Sequence, residues 1–274
     1  MSTSTKKFDG ILLCTDLDGT LLKNDKTISR ENLDAIEYFK SEGGYFTFVT
    51  GRMPYFAEEI YQTVRPNAPI GCINGGGVYD FETKQYLHAV TLPSSVSELV
   101  DYVLPHFQGL GVQLNTLEHL YFCTDNDVNV KFRRDTKLPY LTCDYHENTE
   151  PIGKFLFTHK DNDALLYLAE LLTTHPRANE FDFVRSEQTF YEILPKGVNK
   201  GAALAPIAKS VGVELSRTVA VGDYNNDIEM IQKATIGYAV ANASDDTKAA
   251  ADRITVSNEE HAIAKIIEDL SHGM

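Results

Sequence analysis

Four apolar residues, Ile11-Leu12-Leu13-Cys14, run straight into Thr15-Asp16-Leu17-Asp18-Gly19-Thr20. A short apolar run ending in acids and glycine reads as a buried strand emptying into a loop. Alternate residues of an extended segment point the same way. Asp16 and Asp18 can therefore face one pocket at the strand's carboxyl end, where open α/β sheets bind ligands. Two carboxylates crowded there repel each other unless a cation or a shared proton relieves them. One can serve as nucleophile and metal ligand, the other as proton carrier. The competing reading is an acidic turn, since Asp and Gly are common turn residues.

Strand and helix signals alternate on either side of the middle of the chain. A helix is expected from near Ser29, a good N-cap, with Leu33, Ile36 and Phe39 turned inward and a stop at Gly43-Gly44. Tyr45 to Val49 reads as a second strand, and Ile70 to Ile73 as a third. Between them Pro54 opens a helix with Phe56, Ile60 and Val64 on one face. Later come a strand at Arg217 to Val221, a helix at Asn226 to Lys233, a strand at Ile236 to Val240 and a closing helix at Glu259 to Leu270. This alternation implies a parallel sheet covered on both faces, an α/β fold.

The middle reads differently. Val78 to Leu92 reads as a hairpin turning at Glu82-Thr83-Lys84. Further strands are expected at Val112 to Asn115, Leu120 to Cys123, Phe155 to Phe157, Phe181 to Val184 and Phe190 to Leu194. Helices are expected near Ser97 to Phe107 and Asp163 to Thr173. A sheet with helices on one side, inserted into the α/β domain, fits this pattern. The expected division is a discontinuous core, residues 1–81 and 190–274, around an inserted α+β unit, residues 82–189.

Three further groups converge on the strand ends. Thr50-Gly51-Arg52 follows the second strand and offers a hydroxyl and free backbone N–H groups, which bind phosphate. Lys200 begins an expected helix, Lys200 to Val211, whose N-terminus adds to its attraction for an anion. Gly222-Asp223-Tyr224-Asn225-Asn226-Asp227 follows the strand ending at Val221 and adds oxygen ligands. Magnesium takes oxygen ligands and keeps several waters, so two or three protein oxygens suffice. Singly, these are a helix-entry turn, a surface charge and a helix cap. Their arrival together, three of the four groups after expected strands, favours one joint site.

Composition sets limits on partners. A net charge of −14 over 274 residues argues against a nucleic-acid footprint and against docking on anionic membranes. It leaves a phosphate ligand open, because local cations govern a pocket. Cys14, Cys72, Cys123 and Cys143 are far apart and form no C-x-x-C pair. With no secretory leader expected and no apolar run long enough to span a bilayer, a reducing cytoplasm is the expected compartment. Met1 to Lys7 is polar and expected to fray.

The motifs resemble those of the haloacid dehalogenase superfamily, and within it the Cof-type sugar-phosphatase-like hydrolases. Asp16-Leu17-Asp18-Gly19-Thr20-Leu21-Leu22 matches the first motif and Thr50-Gly51-Arg52 the second. Lys200 in Gly197-Val198-Asn199-Lys200-Gly201 is similar to the third, and Gly222-Asp223 through Asn226-Asp227 to the fourth. Asn74-Gly75-Gly76 stands where the family usually has Asn-Gly-Ala; Ala239 to Ala243, Lys248 and Ala251-Asp252 are similar to further signatures. Between Gly77 and Thr189 the resemblance rests on length and position.

The resemblance implies a doubly wound, Rossmann-like core with an inserted cap that sets specificity. It implies a Mg²⁺-dependent phosphatase acting on a small phosphorylated metabolite, a sugar phosphate above all. Asp16 would form a phosphoaspartate, and Asp18 would act as acid and then base. Thr50, Gly51 and Lys200 would hold the phosphoryl oxygens. Asp16, the Asp18 carbonyl and Asp223 would hold Mg²⁺. Asn226, Asp227, Arg52 and Asn74 would support them, Asp227 as a direct or outer ligand. Dehalogenation is disfavoured, since it does not need Asp18. A phosphohexomutase of the same superfamily is the alternative, and a receiver-like signalling module a more distant one. In the insert, His119, Asp125, Lys131, Arg133 and Arg134 could select substrate, but each reads more readily as a surface group.

Overall fold

The structure, a computed structural model, describes residues 6–273. The expected fraying of Met1 to Lys7 thus falls mostly outside the described residues. The chain divides into two compact units, one running up to Ala89 and resuming at Asn199, the other Val90–Val198. The first opens with β1 (Leu12–Thr15), α1 (Arg30–Ser41), β2 (Tyr45–Phe48), α2 (Pro54–Val64), β3 (Ile70–Cys72), β4 (Gly77–Asp80) and β5 (Gln85–Ala89). The inserted unit holds α3 (Val96–Val103), β6 (Gly111–Thr116), β7 (Leu120–Thr124), α4 (Asp127–Thr136), β8 (Leu141–Thr142), β9 (Ile152–Thr158), α5 (Asn162–Thr174), β10 (Phe181–Glu187) and β11 (Phe190–Pro195). The first unit then resumes with α6 (Leu204–Ser210), β12 (Thr218–Gly222), α7 (Ile228–Lys233), β13 (Ile236–Ala239), α8 (Asp245–Ala250), β14 (Arg253–Ile254) and α9 (Ala262–Leu270).

The core sheet has the order β14-β13-β12-β1-β2, with every pairing parallel. The chain winds outward from β1 in one direction through β2 and in the other through β12, which puts the topological switch point between β1 and β12. Leu12, Cys14 and Ala220 pack with Leu204, Ile207 and Met230 on one face. The alternate residues Leu13, Val219 and Val221 are fully buried as well. Strands buried on both faces are what continuous apolar runs produce.

Local chemistry starts the helices. Ser29 Oγ accepts the Asn32 N–H at 3.2 Å and caps α1. Ile36 and Phe39 turn inward as expected, but the third buried position is Asn32, not Leu33; its Oδ1 accepts the Ala264 N–H of α9. In α2 the buried residues are Pro54, Ala57 and Val64. Phe56, expected inward, instead lies under the Arg52 guanidinium at 4.5 Å.

The expected third core strand forms, but in a separate antiparallel sheet, β3-β4-β5, linked to the core sheet by the single parallel bridge Val49–Gly71. The chain turns back at Asn74 and Gly75, both at positive φ, and sets Gly77 opposite Cys72. The hairpin therefore belongs with the core, and the first seam falls after Ala89, not after Phe81. The second seam falls after Val198, not after Thr189, because β11 pairs with both β9 and β10.

The inserted unit is one six-stranded sheet, β10-β11-β9-β6-β7-β8, antiparallel except for the β7–β8 pair. Leu99 and Val103 of α3 and Leu165 and Leu168 of α5 pack against Val112, Leu114, Phe155 and Phe157. The opposite face carries polar residues that are nonetheless buried: Gln113, Asn115, Lys154 and Glu192. The helix α4, which the sequence pattern did not reveal, buries only Asn129.

Candidate active site

Three parallel strands deliver the chemistry to one edge. Asp16 follows β1, Thr50 lies just beyond β2, and Asp223 follows β12. Backbone bonds fix two of these positions: Asp16 N–H donates to Val221 O of β12 at 2.9 Å, and Thr50 N–H to Gly71 O of β3 at 3.0 Å.

Lys200 is the centre of the site. Its side chain is 2% exposed, and Nζ donates to Asp16 Oδ1 and to Asp227 Oδ1, both at 2.6 Å. The expected helix at Lys200 begins as a 3₁₀ turn, Lys200–Ala203, before α6, with Asn199 as its cap. Gly75, at φ +89, presses on this turn so closely that a Cβ there would lie 2.0 Å from Asn199 O. Glycine is required at that position, and the contact helps fix where Lys200 starts.

Asp227 is fully buried, and both its oxygens are engaged: Oδ1 by Lys200, Oδ2 by the Asp223 and Tyr224 N–H groups at 2.9 and 3.1 Å. Asp223 Oδ1 accepts the Thr20 hydroxyl at 3.0 Å. Gly19, at φ +82, lets the first loop approach Asp223; a Cβ there would meet its Oδ2 at 2.4 Å. Asn74 joins two other loops: its Oδ1 accepts Asn226 Nδ2 at 3.1 Å and lies 3.0 Å from where a Gly51 Cβ would stand. Thr50 is 2% exposed, and its Oγ1 accepts the Arg52 N–H at 3.2 Å.

Asp18 has a different setting from Asp16. Arg52 grips both its oxygens at 2.8 to 3.0 Å, and Lys26 Nζ donates to Oδ1 at 2.8 Å. Burial would raise this carboxyl, but the two cations outweigh it and hold it below the usual carboxylate range. At Asp16, burial and then the Asp227 charge outweigh Lys200 and raise the carboxyl well above that range. Burial and Asp227 likewise push Asp223 up to about 7. Burial opposes the Lys200 ammonium, yet the two carboxylates outweigh it and raise its pKa above the lysine value.

Ligand atoms of Asp16, Asp223 and Asp227 all lie within 4.8 Å of one another. Three carboxylates gather around one ammonium, which leaves negative charge over. An all-oxygen donor set with surplus negative charge fits a hard divalent cation.

The structure thus gathers Asp16, Lys200, Asp223 and Asp227, ties Asn74 to Asn226 and Gly51, and pairs Asp18 with Arg52. Sequence reading missed Lys26, whose approach to Asp18 depends on a loop with no periodic signal. It also missed the roles of Thr20 and of Asn242, which donates from Nδ2 to Gly19 O at 2.8 Å, although both stand inside recognised motifs. The insert's candidates lie in ion pairs within the insert: His119 with Glu150, Lys131 and Arg134 with Asp135, and Arg133 with Asp125, the Arg133 guanidinium being mostly buried over the Phe122 and Tyr140 rings.

Carboxylates, an ammonium and a hydroxyl gathered at the carboxyl edge of a doubly wound parallel sheet define an α/β enzyme. The profile of haloacid dehalogenase-like hydrolases matches residues 13–267. The chain belongs to that family and is a phosphatase of the Cof type. It is 30% identical to the 5-amino-6-(5-phospho-D-ribitylamino)uracil phosphatase YitU of Bacillus subtilis (strain 168), over 94% of this chain and 96% of that one. It is 27% identical to the pyridoxal phosphate phosphatase YbhA of Escherichia coli (strain K12), over 93% and 97%. Among solved structures, a haloacid dehalogenase-like hydrolase from Bacteroides thetaiotaomicron superposes with a TM-score of 0.82 at 26% identity, over 95% and 99%. Phosphatases of this family generally use a divalent metal, and relatives such as these act on small phosphate esters. Among the described residues no helix is long and apolar enough to cross a membrane.

The raised Asp223 has a stability consequence with a definite sign. Folding favours its protonated form, so its contribution is full below the ordinary Asp value of 3.8 and is lost as pH rises through about 7. In chelator, the melting temperature of Asp223→Asn should gain on wild type as pH rises from about 4 to about 8, by the order of a few °C. A divalent cation at the upper pH should close that gap by stabilising wild type. A difference that stays flat with pH would refute this account of Asp223.

Proposed function

We propose that the chain hydrolyses a small phosphate monoester through a phosphoaspartate on Asp16, with Mg²⁺ as cofactor. The observation that carries this reading is the buried Asp16 carboxylate at the switch point, held by Lys200 at 2.6 Å beside two further carboxylates. The free Asp16 oxygen attacks phosphorus, and the ester P–O bond breaks as Asp18 protonates the departing alcohol. Asp18 then takes a proton from water, which attacks phosphorus and breaks the bond to Asp16, leaving inorganic phosphate and the original carboxylate. The Thr50 hydroxyl, the Gly51 N–H and Lys200 hold the phosphoryl oxygens. Asp16, Asp223 and the Asp18 carbonyl would hold Mg²⁺, which screens the repulsion between carboxylate and phosphate. Asp227, with both oxygens engaged, positions Lys200 and the Asp223 loop. The ion pairs with Arg52 and Lys26 hold Asp18 ionised and lower its affinity for a proton, so both its acid and its base role require that these cations release it.

For the substrate we assign a phosphate ester with a polyhydroxylated skeleton, the sugar-phosphate class, to which the ribityl chain in the name of YitU is chemically close. A phosphate-release screen over phosphorylated metabolites tests this. We assign the choice of substrate to the inserted unit. Four free thiols suit a reducing compartment, and we place the enzyme in the cytoplasm.

Asp16→Asn keeps nearly the same shape but loses the nucleophile, so turnover should fall below detection while the melt stays within a few degrees of wild type. Retained phosphate release would overturn the assignment.

Asp18→Asn should slow hydrolysis of the intermediate more than its formation when the leaving group is an activated phenol, so that phosphorylated protein accumulates. Wild-type turnover of an alkyl phosphate by this variant would exclude the acid–base role.

Asn115 Nδ2 is buried with no hydrogen-bond partner among the described residues, so removing it breaks no hydrogen bond of this group. Asn115→Ala should alter the ratio of kcat/KM between good and poor metabolites by about tenfold, one polar contact's worth, while leaving p-nitrophenyl phosphate cleavage intact. An unchanged ratio would remove Asn115 from substrate selection.

A further inference from the structure

Cys123 and Cys143, separated in sequence and unpaired by any motif, stand together in the inserted unit with their Sγ atoms 3.8 Å apart. The parallel pair ends with Phe122 against Thr142, and Cys123 and Cys143 are the next residues of the two segments. Both side chains are partly buried against the same apolar core, so both point to the same face. Neighbouring strands lie about 4.8 Å apart, inside the range of about 4.4–6.8 Å over which disulfide-bonded Cα atoms are found. The sulfurs already stand 3.8 Å apart, and a bond of about 2.05 Å requires the two side chains to close the remaining gap.

The pair is also reachable. Cys123 and Cys143 line an open concavity of about 610 Å³, together with Thr124, Arg133 and Tyr140. Cys14 and Cys72, by contrast, are fully buried. The separation of the sulfurs would also suit two ligands of a tetrahedral metal. Among the described residues, however, the one group of three metal-binding side chains is at the active site, so a third ligand is missing here.

We propose that Cys123 and Cys143 are a redox modification site: they form a reversible disulfide by exchange with a low-molecular-weight disulfide. Cys143 loses its proton to solvent and its sulfur attacks the small disulfide, releasing one small thiolate and leaving a mixed disulfide. Cys123, deprotonated in turn, attacks the Cys143 sulfur and releases the second. Two protein thiols and one small disulfide thus become one protein disulfide and two small thiols, and the protein gives up two electrons. Burial, with Asp144, Glu147 and Glu150 adding to it, raises the Cys143 thiol. Exchange is therefore slow at neutral pH, and the site registers a sustained oxidising poise rather than a brief pulse.

The bond would act on the edge of the sheet. The strand β8 is two residues long and pairs only with β7, and its Leu141 and the preceding Tyr140 are each 47% exposed. A crosslink closes the loop through α4 and fastens this edge to the sheet.

The test equilibrates the full-length protein in glutathione buffers of stepped oxidised-to-reduced ratio, traps thiols by alkylation and maps peptides by mass spectrometry. The expected result is a linked Cys123–Cys143 peptide pair that disappears in dithiothreitol, with Cys14 and Cys72 still thiols. The oxidised protein should melt at a higher temperature than the reduced one, and Cys143→Ser should show neither the link nor the rise. Alkylatable Cys123 and Cys143 at the most oxidising ratio, or stable glutathione adducts on both, would overturn the proposal. A linked protein whose melt does not move would overturn its effect on the edge.

Discussion

One ammonium group holds the active site together. Lys200 Nζ bridges Asp16 and Asp227 at 2.6 Å from each, and all three side chains are nearly or wholly buried. A buried charge that loses its partner is costly, by about 3–5 kcal/mol, so each of the three side chains depends on the others. The surrounding backbone is arranged to meet that demand. Gly75 fits against Asn199 to fix the turn that carries Lys200, and the Asp223 and Tyr224 N–H groups hold the far oxygen of Asp227. The negative charge left over makes this the place where a divalent cation gains most.

Two acids two residues apart have been driven in opposite directions. Asp16 lies among buried carboxylates and is raised; Asp18 lies between Arg52 and Lys26 and is lowered. Separating the behaviour of paired carboxyl groups by their surroundings is how one fold assigns them different chemical tasks. The cations that hold Asp18 come from outside its strand, and Arg52 is itself seated on Phe56.

Much of this was legible from the residues. The apolar runs marked β1, β2 and β12 because strands buried on both faces leave no polar alternation, and the acids after them marked the ligand edge. What escaped had no local signature. The helix α4 presents no apolar stripe, since Asn129 is its one buried residue and Val130 is 51% exposed. The seams were placed too early because β5 and β11 declare their partners only through pairing. Asn32 faces inward in α1 because it serves α9, more than two hundred residues on. The meeting of Cys123 and Cys143 depends on the parallel β7–β8 pair, which neither cysteine spacing nor strand pattern encodes.

The placement of β1 bears on how the chain is made. The strand gains a neighbour on its second side only when Leu12 meets Thr218, about three-quarters of the chain's length away. The inserted unit, by contrast, draws every strand of its sheet from the continuous stretch Val90–Val198. Contacts between distant residues form late, and domains made of contiguous chain fold as units while synthesis proceeds. On the ribosome, then, the insert can gather its sheet while β1 waits with Leu12, Leu13 and Cys14 uncovered. That apolar strand remains a candidate for chaperone capture or faulty pairing until the last third of the protein emerges to close over it.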